Sequence, residues 1–172
     1  MMNKRAITFI GMPGVGKSSI GKQIAKSINW TFEDTDTLIQ KHINGSLKSF
    51  IEEQGDSAFR QLEESIVTTI TEFNNKIIAT GGSVVYSEKS MSHLKKNTTI
   101  IYLYDSQQNI EKRVKASIKQ RGIVGLTTSF KDLYEERLPL YEKYSDITIE
   151  LPSPFHIETC IKTCLNKVQE IL

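Results

Sequence analysis

The stretch "GMPGVGKSS", residues 11–19, follows the apolar run "AITFI" near the start of a chain of 172 residues. Its residues stand in the order G-x-x-x-x-G-K-S, from Gly11 to Ser18. In a loop of this kind between a strand and a helix, backbone N–H groups turn toward phosphate oxygens, and the helix N-terminus adds its dipole. The segment that follows, "GKSSIGKQIAKSI", has isoleucines at helical spacing, so the surroundings agree with the loop. The stretch therefore predicts a site for a nucleoside triphosphate.

Strand-like runs and helical segments alternate along the rest of the chain. The runs after "AITFI" are "TFEDTD", "KIIAT", "TTIIYLY" and "DITIEL". Five strands separated by helices predict a parallel sheet with helices on both faces, which is a three-layer α/β fold. Because no repeat, linker or low-complexity tract interrupts the chain, we expect residues 1–172 to form one domain. Pro139 is expected to end or kink the helix "FKDLYEERLPLYEKY".

Two segments depart from this alternation. A helical insert covers about residues 37–73, with breaks near Asn44-Gly45 and at Gly55. A loop that contains "RGIVGLTTS" covers about residues 118–130. Ligands of parallel α/β sheets bind beyond the carboxyl ends of the strands. We therefore expect the insert to bind an acceptor and the loop to act as a lid.

The composition argues against several classes of function. A net charge of +2 favours neither a nucleic-acid surface nor a membrane surface, and no apolar run approaches the roughly 20 residues of a membrane span. The start "MMNKRAITFIG" has no small-residue cleavage site, so no signal peptide is expected. Cys160 and Cys164 share one face of a helix without a second pair, which favours core cysteines over half of a metal site. We expect a cytoplasmic, disulfide-free monomer.

The acids of "TFEDTD" have two interpretations. Asp34 and Asp36 alternate, so on a continuing strand they face opposite sides. One would then face a metal ion, and the other would accept a proton from an attacking hydroxyl. Alternatively, Asp36 caps the helix "TLIQKHI". The two interpretations are equally supported by the local sequence.

Three further clusters also admit an ordinary structural explanation. In "GDSAFRQLEES", Arg60 and Glu63 are spaced like a surface ion pair of a helix. The strand before "TGGSVV" ends in Gly81-Gly82, where a ligand is able to approach the backbone, although Ser83 or Ser87 capping a helix explains the pattern as well. Asp105 ends the apolar strand "IIYLYD" like a magnesium ligand, but its place before "SQQNIEKR" favours a helix N-cap. Asp34 is preferred over it as the metal ligand.

Together these motifs resemble the shikimate kinase family. The matching elements are the phosphate loop, "F-x-D-x-D", "G-x-x-x-F-R-x-x-E", the glycine pair after the third strand, and "R-x-P-L-Y-x-x-x-x-D". They span roughly residues 6–165. The resemblance implies a P-loop kinase fold and the Mg²⁺- and ATP-dependent phosphorylation of a ring hydroxyl of shikimate to shikimate 3-phosphate.

The resemblance also implies roles for individual residues. The implied catalytic residues are Lys17, Asp36 and Arg121. The implied nucleotide contacts are Gly11, Gly14, Val15, Gly16, Lys17, Ser18, Ser19 and Arg113, the last lying over the adenine. The implied acceptor contacts are Asp36, Arg60, Gly81, Gly82 and Arg137, in which the two arginines clamp the carboxylate of shikimate. The implied metal ligands are Ser18 and Asp34.

Two departures from the family pattern keep other functions open. The family's third glycine after the strand is Ser83 here, and "RGIVGLTT" replaces the usual Arg-Pro-Leu-Leu of the lid. A different small hydroxyl acid, such as homoserine, is therefore an alternative acceptor. A nucleotide-binding regulator without an acceptor is the alternative from another class.

Overall fold

A parallel sheet of five strands lies at the centre of the part of the chain that the computed structural model describes, residues 5–114, 123–125 and 129–172. The strands stand in the order β2-β3-β1-β4-β5, and every neighbouring pair is parallel. Their bounds are Ala6–Ile10 (β1), Thr31–Asp34 (β2), Lys76–Ala79 (β3), Thr99–Tyr104 (β4) and Ile147–Glu150 (β5). The predicted strands and their parallel arrangement are confirmed.

Helices cover both faces of this sheet. Helix α1 packs against the C-terminal helix α7, whereas α3 packs against α4 and against a 3₁₀ turn at Val84–Tyr86. The helices within the described residues are Lys17–Ser27 (α1), Thr35–Ile43 (α2), Leu47–Thr68 (α3), Glu88–Asn97 (α4), Gln107–Val114 (α5), Phe130–Tyr144 (α6) and Ile157–Ile171 (α7).

The central strand β1 lies in the middle of the core. All five of its residues are buried, because it pairs with β3 on one side and β4 on the other and helices cover both faces. Phe9 stands opposite Ala79 in β3 and Ile101 in β4. Burial of this continuous apolar strand fixes the position of the loop that follows it, from Gly11 onward.

The helical insert breaks where its sequence predicts. Asn44 ends α2 in the left-handed region with φ 50°, and Gly55 interrupts α3 with φ 82° and ψ 168°. A small apolar cluster of Ile39, Phe59 and Val124 joins α2 and α3 to the segment 123–125. Among the residues of the predicted lid, 118–122 and 126–128 lie outside the described residues.

Helix α6 continues past Pro139 to Tyr144. Of the two effects expected of this proline, an end or a kink of the helix, the end is wrong. Proline removes one backbone hydrogen bond, but Leu133 and Tyr141, on either side of it, are buried in the main core. Their packing holds the helix together across the missing hydrogen bond.

Cys160 and Cys164 are fully buried free thiols of α7, as expected from their spacing. Within the described ranges, no helix combines the length and hydrophobicity that crossing a bilayer requires.

Candidate functional site

A cleft of about 730 Å³ lies at the carboxyl ends of β1, β2 and β3. Most of the candidate site residues that the sequence indicates line this cleft. Those residues are Gly14, Gly16, Lys17, Ser18, Ser19, Asp34, Asp36, Gly81, Gly82, Arg113 and Arg137. Of the remaining candidates, Gly11, Val15 and Arg60 are described but do not line the cleft, and Arg121 lies outside the described residues.

The phosphate loop has the backbone that its glycines predict. Gly16 precedes α1 in the left-handed region with φ 111°, and no side chain caps the helix. Gly11 touches β4 closely, because a Cβ atom there would lie 2.7 Å from the carbonyl oxygen of Leu103. Val15 is buried, and its N–H donates to the carbonyl oxygen of Met12. The uncapped first turn of α1 therefore presents N–H groups to an anion.

Lys17 lies buried within this loop. Its Nζ donates to the carbonyl oxygens of Gly11 and Met12, at 2.8 and 2.9 Å. Burial lowers the pKa of Lys17 to about 8, against the opposing effects of the Asp36 and Asp34 carboxylates. The Lys17 side chain is thus largely charged at neutral pH. Its partners are neutral carbonyl oxygens, and a charged phosphate oxygen would form a stronger hydrogen bond with it.

The two acids lie where strand passes into helix, Asp34 as the last residue of β2 and Asp36 in the first turn of α2. Asp34 ends the strand and caps α2, since its Oδ1 accepts hydrogen bonds from the N–H groups of Asp36 (2.9 Å) and Thr37 (3.4 Å). The alternative in which Asp36 caps the helix is therefore wrong. The strand does not continue to Asp36, so the condition for the two acids to face opposite sides of a strand is not met. The turn brings both acids to the cleft.

The carboxyl group of Glu63 lies beside Asp36. Its spacing from Arg60 predicts a surface ion pair, but Glu63 is buried. Glu63 is 2% exposed, and its Oε2 accepts a hydrogen bond of 2.7 Å from the hydroxyl of Ser83. Its Oε1 accepts no hydrogen bond from the described residues, and no ion pair with Arg60 forms among them. Burial raises the pKa of Glu63 to about 7, and the Asp36 carboxylate adds to this rise.

A side chain at Gly81 or Gly82, after β3, would come too close to other side chains of the protein. A Cβ atom on Gly81 would lie 2.5 Å from Oε1 of Glu63 and 2.8 Å from Oδ1 of Asp36. A Cβ atom on Gly82 would lie 2.7 Å from Pro13 and 2.9 Å from Nη1 of Arg137. Both glycines therefore permit a close approach of charged side chains, in addition to any approach of a ligand.

Arg137 is 1% exposed although it lines the cleft. Its Nε donates to the hydroxyl of Tyr86 (3.2 Å) and its Nη2 donates to the carbonyl oxygen of Val124. The guanidinium group of Arg60 lies over the ring of Tyr86, with Cζ 3.8 Å from the centroid. Within the described residues, neither arginine forms an ion pair with a carboxylate. Nothing in the local sequence marked Tyr86 as their common partner.

Arg113 lies at the opposite end of the cleft. Its Nη2 pairs with Oδ2 of Asp105 at 2.7 Å, and its Cζ lies 4.1 Å from the ring centroid of Phe155. Asp105 is thus committed to an arginine and does not line the cleft. Its predicted role as N-cap is also wrong, because the hydroxyl of Ser106 accepts the hydrogen bond from the N–H of Asn109 (3.3 Å) in the first turn of α5.

The segment 123–125 closes the acceptor side of the cleft. Ile123 and Val124 line the cleft, and Val124 is 5% exposed. The N–H of Gly125 donates to Oδ2 of Asp56, at 2.7 Å, directly after the break in α3. These contacts join the described middle part of the predicted lid to the helical insert.

The oxygen donors of the cleft suit a magnesium ion that accompanies phosphates. Ser18 and Asp34 both line the cleft. Across the described residues, no group of three or more His, Cys, Asp or Glu side chains is arranged to hold a metal ion. Mg²⁺ is usually held by one or two protein oxygens together with substrate phosphates and water, so the residues present fit this ion.

The fold and the phosphate loop at its cleft define a P-loop phosphotransferase. The sequence model of the shikimate kinase family matches residues 13–167, and the chain belongs to that family. Its members use ATP as the phosphoryl donor.

Individual relatives agree with this assignment. The chain is 34% identical over 169 residues to a shikimate kinase of Prochlorococcus marinus, covering 95% of this chain and 84% of that one. The solved shikimate kinase of Aquifex aeolicus is 28% identical with a TM-score of 0.79, covering 95% and 96% of the two chains. The enzyme of Acinetobacter baumannii in complex with shikimate has a TM-score of 0.84 at 23% identity, covering 96% and 91%.

Proposed function

We propose that this chain transfers the terminal phosphoryl group of ATP to a ring hydroxyl of shikimate, giving shikimate 3-phosphate. The observation that carries the proposal is the convergence of the Arg60 and Arg137 guanidinium groups beside Gly125, in a protein whose cleft is lined by Arg137 and by the phosphate loop. A Cβ atom on Gly125 would lie 3.5 Å from Nη2 of Arg60 and 3.7 Å from Nη2 of Arg137, so both guanidinium groups point at one place. A carboxylate is the anion that two such forks bind best.

The nucleotide occupies the end of the cleft formed by the phosphate loop. N–H groups of the loop and of the first turn of α1 bind the phosphate oxygens. Lys17 exchanges its carbonyl partners for phosphate oxygens and stabilises the charge of the transferring group. The stacked side chains of Arg113 and Phe155 lie where the base enters. Gly11 and Val15 contribute only through their backbone.

Ser18 and Asp34 are the residues that would hold Mg²⁺. When it is bound, this ion neutralises charge on the phosphate oxygens. Oδ1 of Asp34 is committed to the cap of α2, so Oδ2 is the oxygen that remains for the ion or for a water molecule on it.

The acceptor lies between Asp36 and the two arginines. Arg60 and Arg137 bind its carboxylate, and Asp36 accepts a hydrogen bond from the hydroxyl that attacks. The Asp36 carboxylate acts electrostatically on Lys17 of the phosphate loop, which supports an orientation of this hydroxyl toward the nucleotide. Gly81 and Gly82 contact the ring through their backbone.

Arg121 keeps the role that the resemblance implies, which is to meet the transferring phosphoryl group when the lid closes. An arginine in this role contributes about 10³- to 10⁵-fold to kcat. Arg121→Ala is expected to lower kcat by at least about 100-fold, with ATP binding to the free protein changed far less. A kcat within a few-fold of wild type would remove this arginine from the mechanism.

A coupled assay of ADP release tests the proposed function. We expect rapid release in the presence of ATP, Mg²⁺ and shikimate, and slow release without an acceptor. Release that depends on homoserine instead would assign another hydroxyl acid as the acceptor. Tight ATP binding without turnover on either acceptor would favour a regulator. The monomeric state, the cytoplasmic location, the single domain and the absence of nucleic-acid partners stay predictions.

A further inference from the structure

Tyr86 is the residue that connects the two arginines of the acceptor end. It is the last residue of the 3₁₀ turn Val84–Tyr86, directly after the glycine pair that ends β3. Arg60 reaches it from α3 and Arg137 reaches it from α6. The side chain of Tyr86, in the turn after β3, therefore contacts both arginines, which come from two separate helices.

The contact with Arg60 fixes the plane of its guanidinium group. Cζ of Arg60 lies 3.8 Å from the ring centroid of Tyr86, which is the range of a stacked cation–π contact. Nε of Arg60 is buried and bonds to none of the described residues. The ring thus supplies a contact that orients this side chain, whose Nη2 lies 3.5 Å from the position of a Cβ atom on Gly125.

The contact with Arg137 is a directed hydrogen bond. The hydroxyl of Tyr86 accepts from Nε at 3.2 Å, while Cζ of Arg137 lies 5.1 Å from the ring centroid. Since Nε is occupied by tyrosine, the Nη atoms face the cleft and the loop carbonyl of Val124. The fork that a carboxylate needs is held in one orientation by this bond.

We propose that Tyr86 is a positioning residue that sets the separation and orientation of Arg60 and Arg137 and so determines the selectivity of the acceptor end for a carboxylate. This inference rests on the proposed function. The ring face stabilises one cation and the hydroxyl stabilises the other, so Tyr86 offsets part of the repulsion between two like charges that converge beside Gly125. Tyr86 itself touches the arginines and not the reacting atoms.

Two variants separate the ring from the hydroxyl. Tyr86→Phe keeps the stacking under Arg60 and removes the hydrogen bond to Arg137, so the KM for shikimate is expected to rise about 5-fold. Tyr86→Leu removes both contacts and is expected to raise it about 30-fold. The KM for ATP is expected to stay within about 2-fold of wild type, because loss of a contact at the acceptor end does not reach the phosphate loop.

Shikimate methyl ester distinguishes positioning from a general loss of packing. The ester lacks the carboxylate, so it gains little from two oriented guanidinium groups. In Tyr86→Leu we expect its KM to change far less than that of shikimate, so the preference for the free acid collapses. Tyr144→Leu is the matched control, since Tyr144 is a half-buried tyrosine of α6 whose ring lies 4.9 Å from Nζ of Lys143. It is expected to leave both KM values unchanged.

Calorimetric binding of shikimate and its ester to the nucleotide-free protein keeps this inference separate from the proposed function. Binding of shikimate without turnover would overturn the proposed reaction, and Tyr86 would still be tested by the affinities. An equal loss of acid and ester binding in Tyr86→Leu would overturn the positioning role. So would an unchanged affinity for shikimate, and a wild-type protein that binds neither compound would overturn both.

Discussion

The hydroxyl of Ser83 donates a 2.7 Å hydrogen bond to Oε2 of Glu63, and both residues are buried beside Asp36. Ser83 stands where the family usually has a third glycine, so this contact follows directly from one of the departures of the sequence. The bond favours the ionised form of Glu63, but burial and the Asp36 carboxylate outweigh it and raise the pKa of Glu63 to about 7. The guanidinium groups of Arg137 and Arg60 lower it in turn.

This raised pKa predicts a specific pH dependence of stability. Folded Glu63 titrates near pH 7, and its ordinary value is 4.5, so the folded state carries more protons between these two values. The free energy of unfolding is therefore expected to fall as the pH rises through this window, by on the order of 3 kcal/mol. Glu63→Gln does not titrate, and the difference between its denaturation curves and those of wild type measures the effect.

The exposed Glu72 supplies the control for this experiment. Glu72→Gln makes the same chemical change at an exposed position and is expected to reproduce the wild-type pH dependence, so it controls for the substitution itself. If Glu63→Gln and wild type lose stability in parallel between pH 4.5 and pH 7, the assignment of a protonated, buried Glu63 is wrong.

Gly81→Ala tests the close approach at the end of β3. The added Cβ atom would lie 2.5 Å from Oε1 of Glu63 and 2.8 Å from Oδ1 of Asp36, so the carboxyl groups have to move. We expect a loss of about 1–3 kcal/mol in the free energy of unfolding, and a fall in kcat from the displacement of Asp36. Urea denaturation and the coupled assay measure the two effects.

Gly45→Ala is the matched substitution. Its Cβ atom would meet nothing closer than a carbonyl oxygen at 3.7 Å, which is ordinary contact, so stability and turnover are expected to change little. Equal stability of the Gly81 and Gly45 variants would contradict this prediction. It would show that the two carboxyl groups move away from the added Cβ atom without loss of stability.

The features that depend on neighbouring residues in the chain could be predicted from the sequence. The phosphate loop, the strands and the breaks at Asn44 and Gly55 follow from periodicity and from which residues adopt left-handed backbone. Local reasoning failed where packing decides. The cost of Pro139 is offset by buried residues on both sides of it, and a turn of helix, not a strand, presents Asp36.

The acceptor end was only partly predictable for the same reason. Ser83 and Glu63 are 20 residues apart, and Tyr86 and Arg137 are 51 apart. No spacing rule relates residues at such distances, so the local sequence indicates a surface pair of Glu63 with Arg60 and gives no role to Tyr86. The resemblance to a family supplied Arg60 and Arg137, but it says nothing of residues peculiar to this chain.

Lys17→Met tests whether the buried lysine serves the nucleotide and not the core. The methionine keeps much of the apolar side chain and removes the charge. Turnover is expected to fall by at least about 100-fold, while the far-UV spectrum stays that of a folded protein. Collapse of that spectrum, or turnover near that of wild type, would contradict the role given to Lys17.

The difference in stability between wild type and Lys17→Met is also expected to depend on pH. Lys17 has its pKa lowered from 10.5 to about 8, so below pH 8 the folded state holds a charge that burial disfavours. As the pH rises from 8 toward 10.5, the unfolded state carries more protons, and wild type is expected to gain stability relative to Lys17→Met. Thermal denaturation of both proteins across this range measures the difference.

Arg137→Lys and Arg60→Lys test the carboxylate clamp, and the two substitutions are expected to differ. A lysine keeps the charge and loses the fork, so each variant should lose about 1–3 kcal/mol of acceptor binding with a smaller change in the KM for ATP. Arg137 is 1% exposed and bonds to Tyr86 and Val124, so its replacement also strands buried polar groups and should lower the melting temperature. Arg60 is less deeply buried and should affect stability less. Arg5→Lys, at an exposed arginine, is the matched control. If the KM for ATP rises more than the KM for shikimate in either clamp variant, that arginine belongs to the nucleotide end.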